Sequence, residues 1–93
     1  MEKVEFLILR NLLYNEEYVR KVIPFLEANY FENYNEKVVF EEISNFVKEY
    51  NTTATKEVLC IETEKRQDIN DSSFKEISDL ITSLEESPLN LIG

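Results

Sequence analysis

The 93-residue chain holds a single glycine, and it is the last residue, Gly93. Tight β-hairpins need positive φ at their central positions, which glycine supplies without a Cβ penalty, so this chain is poorly equipped to reverse direction between strands. Helices joined by short polar connections are the remaining solution. Only Pro24 and Pro88 interrupt the backbone, and 43% of the residues are hydrophobic, enough for one modest core at this length. The expected fold class is all-α, a compact bundle of about five to six helices.

Apolar periodicity places the elements. From Val4 to Tyr14 apolar residues nearly encircle a helix, with Val4, Leu7, Ile8 and Tyr14 on one side and Phe6, Leu9 and Leu13 on another. Such a helix is either central to the bundle or keeps one side for a partner. Asn15 is placed to cap a second helix that buries Tyr18, Val19, Val22, Ile23 and Leu26, and Pro24 should break it near Ile23. Tyr30, Phe31 and Tyr34 follow in a connection, where aromatics plug a bundle end. A third helix shows the clearest stripe, Val39, Phe40, Ile43, Phe46, Val47 and Tyr50, with Asn35 as its expected cap and Val38 as a lone exposed valine. Thr55 is expected to cap a fourth helix reaching about Arg66, with Val58, Leu59 and Ile61 as its apolar positions. Cys60 lies off the Val58/Ile61 side and reads as a small hydrophobe. After a loop at 67–72, Ser73 to Glu76 fits a capping box, and Phe74, Ile77, Leu80, Ile81 and Leu84 form a fifth stripe that Ser87-Pro88 ends.

Most catalytic chemistry is missing from this alphabet. There is no histidine, hence no Ser-His-Asp or Cys-His site and no imidazole ligand for a metal. With glycine only at position 93, neither a Walker loop nor a dinucleotide-binding turn can be built. One cysteine allows no thiolate zinc cluster, no CxxC redox pair and no internal disulfide. Neighbouring carboxylates, Glu16-Glu17, Glu41-Glu42 and Glu85-Glu86, diverge by about 100° on a helix and read as solvated faces. Asp68, Asn70 and Ser72 copy the opening of an EF-hand loop, but Ser73 replaces its glycine and Asp79 its bidentate glutamate, so helix capping is the better account. No catalytic, cofactor-binding or metal-binding residue is expected.

Nineteen acidic residues against ten basic give a net charge of −9. That surface repels phosphate, which argues against direct binding to nucleic acid or to an anionic membrane. The basic pairs Arg20-Lys21 and Lys65-Arg66 read as solvated helix faces. Phe6-Leu7-Ile8-Leu9 is far too short to span a bilayer, and no secretory signal stands upstream, so a cytoplasmic location is expected.

The order of elements also resembles a known family. The stretch Ile8-Leu9-Arg10-Asn11-Leu12-Leu13, the Asn15-led helix with Val19 and Ile23, the Pro24-x-Leu26 step, Tyr30-Phe31, Val39-Phe40-Glu41-Glu42-Ile43, Tyr50 and Val58-Leu59 resemble the N-terminal domain of DnaB-type replicative DNA helicases. The end Leu80-Ile81-Thr82-Ser83-Leu84-Glu85-Glu86-Ser87-Pro88 is most similar to the version carried by large tailed phages of the T-even type. The resemblance implies a non-catalytic helical head over residues 1–88, with 89–93 as the truncated start of a following hairpin or linker. It implies a tier of a hexameric ring, self-association within the parent hexamer, and a surface for primase and helicase loader, with the ATP-driven motor C-terminal to it. Without most of the hairpin, this stretch alone is expected to be a monomer or weak dimer. The alternative is a stand-alone acidic phage protein that binds a host or phage factor.

Surplus apolar surface marks the expected partner-binding residues: Phe6, Leu9 and Leu13 on the first helix, with Leu89, Leu91 and Ile92 in the apolar tail.

Overall fold

The computed structural model describes residues 4–84, and within them the regular structure is all helical, with no strand. Five α-helices run α1 Val4–Tyr14, α2 Glu16–Val22, α3 Tyr34–Tyr50, α4 Lys56–Glu64 and α5 Asp71–Ser83, with a short 3-10 turn at Ala28–Tyr30 between α2 and α3. The all-α expectation holds.

Side-chain caps define where helices start. Asn15, Asn33, Thr55 and Asn70 each accept a hydrogen bond from the backbone N–H three residues on, satisfying one of the donors a helix leaves open. The third helix therefore begins earlier than expected, capped by Asn33 instead of Asn35, and Glu36 stands at the third helical position, as in a capping box. Likewise Asn70 caps α5, and Ser73 serves as the donor, its N–H 2.8 Å from the Asn70 Oδ1. Pro24 acts as anticipated, since α2 ends at Val22. At the other end of α3 the glycine shortage shows itself: Asn51 takes the left-handed conformation, φ 56°, that closes the helix, its N–H bonded to the Val47 carbonyl. Asparagine tolerates that region better than other residues with a Cβ.

Helix α3 is the central column, packed by α1, α4, α5 and the 3-10 turn. Contact on several sides widens its buried stripe to include Val38, which is buried together with Val39, Phe40, Ile43 and Val47 and is not the lone exposed valine that a single stripe implied. Phe31 closes one end as the aromatic connection suggested: it is fully buried, with its ring 5.1 Å from that of Phe40. In α4 the buried pair is Leu59 and Thr63, one turn apart, while Ile61 lies exposed. Thr63 is tolerated there because its hydroxyl donates to the Leu59 carbonyl at 2.7 Å, leaving no open polar group. Cys60 is partly buried against the core.

Helix α1 is not central; it packs on α2 and α3 from one side. Its buried residues are Leu9, Leu12 and Leu13, and its outward residues are Val4, Leu7 and Tyr14. The Tyr14 hydroxyl donates to the Leu84 carbonyl at 2.8 Å, tying the end of α1 to the end of α5.

Leu9→Ala should lower unfolding free energy by about 3 kcal/mol in urea titration, whereas Val4→Ala should cost less than about 0.5 kcal/mol. Equal effects would mean that the two faces of α1 are wrongly assigned. At Asn51, alanine is expected to cost about 1 kcal/mol and glycine to match or exceed wild type, because only the former adds strain to a left-handed residue.

Candidate interaction surface

The residues expected to meet a partner divide into three groups. Leu9 and Leu13 are buried in the core, a correction to their place on a binding face: they are the side of α1 that packs inward. Phe6 is partly buried at the edge of that packing, with the Arg10 guanidinium 5.2 Å above its ring. Leu89, Leu91 and Ile92 lie outside the described residues. The apolar surface that α1 does present consists of Val4, 60% exposed, with Leu7 and Tyr14.

Larger exposed apolar groups occur elsewhere. Phe25, directly after Pro24, is 84% exposed, and Tyr30 in the 3-10 turn and Tyr34 at the start of α3 are exposed as well. Tyr50 and Ile61 project from α3 and α4. Sequence periodicity had put Tyr50 in the stripe of the third helix and Ile61 among the apolar positions of the fourth; Tyr50 lies in the last turn of α3 and is 59% exposed.

The strongest electrostatic feature was not foreseen. Arg66, just beyond the end of α4, is not a solvated residue: its side chain is only 18% exposed and its guanidinium gathers three carboxylates. It grips Asp68 with two parallel bonds, Nε to Oδ1 at 2.9 Å and Nη2 to Oδ2 at 2.7 Å. Nη1 reaches Glu42 at 2.7 Å and Nη2 reaches Glu41 at 3.1 Å. Glu41 and Glu42 diverge on α3, yet the five N–H donors of one planar guanidinium span both. This clamp fixes the α4–α5 connection against the central helix. Three other cations pair locally in exposed i,i+3 or i,i+4 bridges, Arg20 with Glu16, Lys21 with Glu17 and Lys65 with Glu62, each worth little.

The clamp is built to stay ionised. Hydrogen bonding to Asp68 first, and then to Glu42 and Glu41, raises the Arg66 pKa above its ordinary value against the opposing cost of desolvation. The Arg66 hydrogen bond holds the Asp68 carboxyl below the usual carboxylate range. Neither Arg66 nor Asp68 changes its charge near neutral pH. Asp68 and Asn70, the two leading members of the calcium-like pattern, are committed to Arg66 and to the α5 cap. Among the described residues no three thiolate or carboxylate side chains converge as metal ligands. Burial, with the nearby Tyr30 phenol adding to it, pushes the Tyr18 phenol up. Nor is any described helix long and apolar enough to cross a membrane.

The described residues form a helical module with capped helix starts and a charge clamp that ties the α4–α5 connection to α3. Comparison with known proteins gives that module a context. Over 82 residues, 88% of its length, the chain is 28% identical to the DnaB-like replicative helicase of Enterobacteria phage T4. It is similar to part of a replicative helicase. The chain spans 17% of that relative's length. No family model matches the chain, and no solved structure matches it.

Removing the guanidinium by Arg66→Met leaves Glu42, itself only 11% exposed, without its cation, and should lower stability by about 2–3 kcal/mol. Asp68→Asn should have a smaller effect with a pH signature. Asp68 ionises more readily in the fold than in the unfolded chain, so its contribution is complete at neutral pH and is lost as pH falls through the depressed value. The melting-temperature gap between wild type and Asp68→Asn should hold down to about pH 4 and close below it. A gap unchanged at about pH 2 would show that the effect of the substitution is not electrostatic.

Proposed function

We propose that the chain is the non-catalytic N-terminal domain of a phage replicative DNA helicase, contributing to ring assembly and to the docking of primase or helicase loader. In this reading residues 1–88 are the helical interaction domain, and 89–93 begin a following hairpin or linker. The observation that carries it is the likeness to a DnaB-like replicative helicase along 88% of a chain that has no means of gripping a nucleotide. A helicase motor needs a glycine-rich loop whose backbone cradles phosphates, and the only glycine here is Gly93. What the chain has instead is a clamped helical bundle with exposed aromatic and aliphatic groups, which suits a scaffold and docking role. The catalytic step of the parent protein would then belong to residues outside this chain.

The acidic surface favours a second reading, a stand-alone phage protein that binds a host or phage factor, because a charge of −9 is more than solubility requires of a small domain. Sedimentation of the chain with the helicase motor, primase and helicase loader encoded in the same genome separates the two. Association with at least one of them, with no ATP hydrolysis by the chain alone, is the expected result. Absence of association with all three at micromolar concentration, or ATP turnover by the chain itself, would sink the helicase reading.

A further inference from the structure

Between α3 and α4 runs a groove of about 230 Å³ whose composition differs from the rest of the surface. Its floor is apolar: Phe46 and Tyr50, one turn apart on α3 with ring centroids 4.7 Å apart, face Val58 on α4. Its rim is acidic, with Glu42 and Glu49 from α3 and Glu62 from α4, and no lysine or arginine is among the lining residues described. Glu42 is committed to Arg66, and Glu62 meets the exposed Lys65 at 3.2 Å. Glu49 has no ion-pair partner among the described residues. Tyr50, 59% exposed, keeps much of its ring open to solvent beside it.

The larger groove near the α2–α3 connection, about 460 Å³, has a different character. There Lys48 and Arg66 stand among Glu27 and Glu41, so cations and anions already balance. The α3–α4 groove combines an unbalanced carboxylate with an open aromatic face, which are the two groups that attract an ammonium or guanidinium. Its volume lies below the roughly 300–1,000 Å³ of small-molecule pockets, and suits an anchoring side chain of a protein segment.

We infer that this groove docks a basic amphipathic helix of a partner protein, an apolar side chain entering over Phe46, Tyr50 and Val58 while a lysine or arginine reaches Glu49. The inference goes beyond the proposed function, since it concerns this groove and its ligand whichever larger protein the chain serves. Helix-in-groove recognition needs an apolar seam and a complementary rim, and both are present. Negative charge over the whole chain draws such a partner in from a distance, and the groove gives it a defined seat.

A synthetic helical peptide with leucine on one face and lysine on the other tests this, set against the same peptide with glutamate replacing lysine. Titration of the 93-residue chain by fluorescence anisotropy at physiological ionic strength should show binding of the lysine peptide only. Amide shift changes should centre on Phe46, Glu49, Tyr50 and Val58. Glu49→Lys should weaken binding about tenfold and Tyr50→Ala severalfold, each with a melting temperature near wild type because both residues are exposed. Glu17→Lys makes the same charge change on α2 and should alter binding by less than about twofold. An equal loss in Glu17→Lys would reduce the effect to overall charge and overturn the inference. So would failure of the lysine peptide to bind, or shift changes confined to another face.

Discussion

Everything in this molecule leans on the burial of α3. It is the longest helix, it is packed by three other helices and by the 3-10 turn, and it contributes Val38, Val39, Phe40, Ile43 and Val47 to one core. Short helices of seven to thirteen residues are marginal in water alone, so α1, α4 and α5 persist because each has this column to lie against, and α2 persists because it packs on α1. The caps at Asn15, Asn33, Thr55 and Asn70 then fix where each begins, and the left-handed Asn51 fixes where α3 ends. A chain without internal glycine thus meets its turning requirements with asparagine and threonine side chains.

The Arg66 clamp extends the same column into the polar layer. A surface bridge on a single helix holds two side chains together and does little for the fold, whereas Arg66 joins the α4–α5 connection to α3 across more than twenty residues of sequence. Partial burial of Arg66 and Glu42 makes the link worth more and makes its loss costly, since a carboxylate left behind would be poorly hydrated. The cost of assembling so much negative charge is met locally here, by one guanidinium among three carboxylates.

Local patterns were legible in the sequence, and long-range ones were not. Pro24, the Asn15 and Thr55 caps and the plugging role of Phe31 follow from local chemistry within a few residues, and the structure agrees, whereas the loop expected at 67–72 ends two residues sooner because Asn70, not Ser73, caps α5. The face of α1 was not legible, because a helix apolar on nearly every side offers no contrast from which to choose; Leu9 and Leu13 went inward and Val4 and Leu7 outward. Val38 was missed because a single stripe presumes one packing partner, and α3 has several. The Asn33 cap carried a signal, Glu36 three residues later, that the nearer Asn35 obscured. Convergence of Glu41 and Glu42 on Arg66 depends on how α4 returns along α3, which no spacing rule encodes.

Charge also bears on what kind of partner such a domain can select. Exposed pairs such as Arg20 with Glu16 and Lys21 with Glu17 cancel locally, so the field that reaches beyond a Debye length comes from the acids left over. A field of that sign steers basic surfaces and turns away phosphate, but it is diffuse and cannot by itself choose among basic partners. Choice requires shape and desolvated apolar contact, which on this surface means grooves and exposed rings rather than carboxylates alone. In a domain with no histidine to switch its charge near neutral pH, and with the partly buried Arg66 locked among acids, that selection is set by fixed geometry. The caps, the α3 column and the Arg66 clamp all act to hold one arrangement of those grooves and rings.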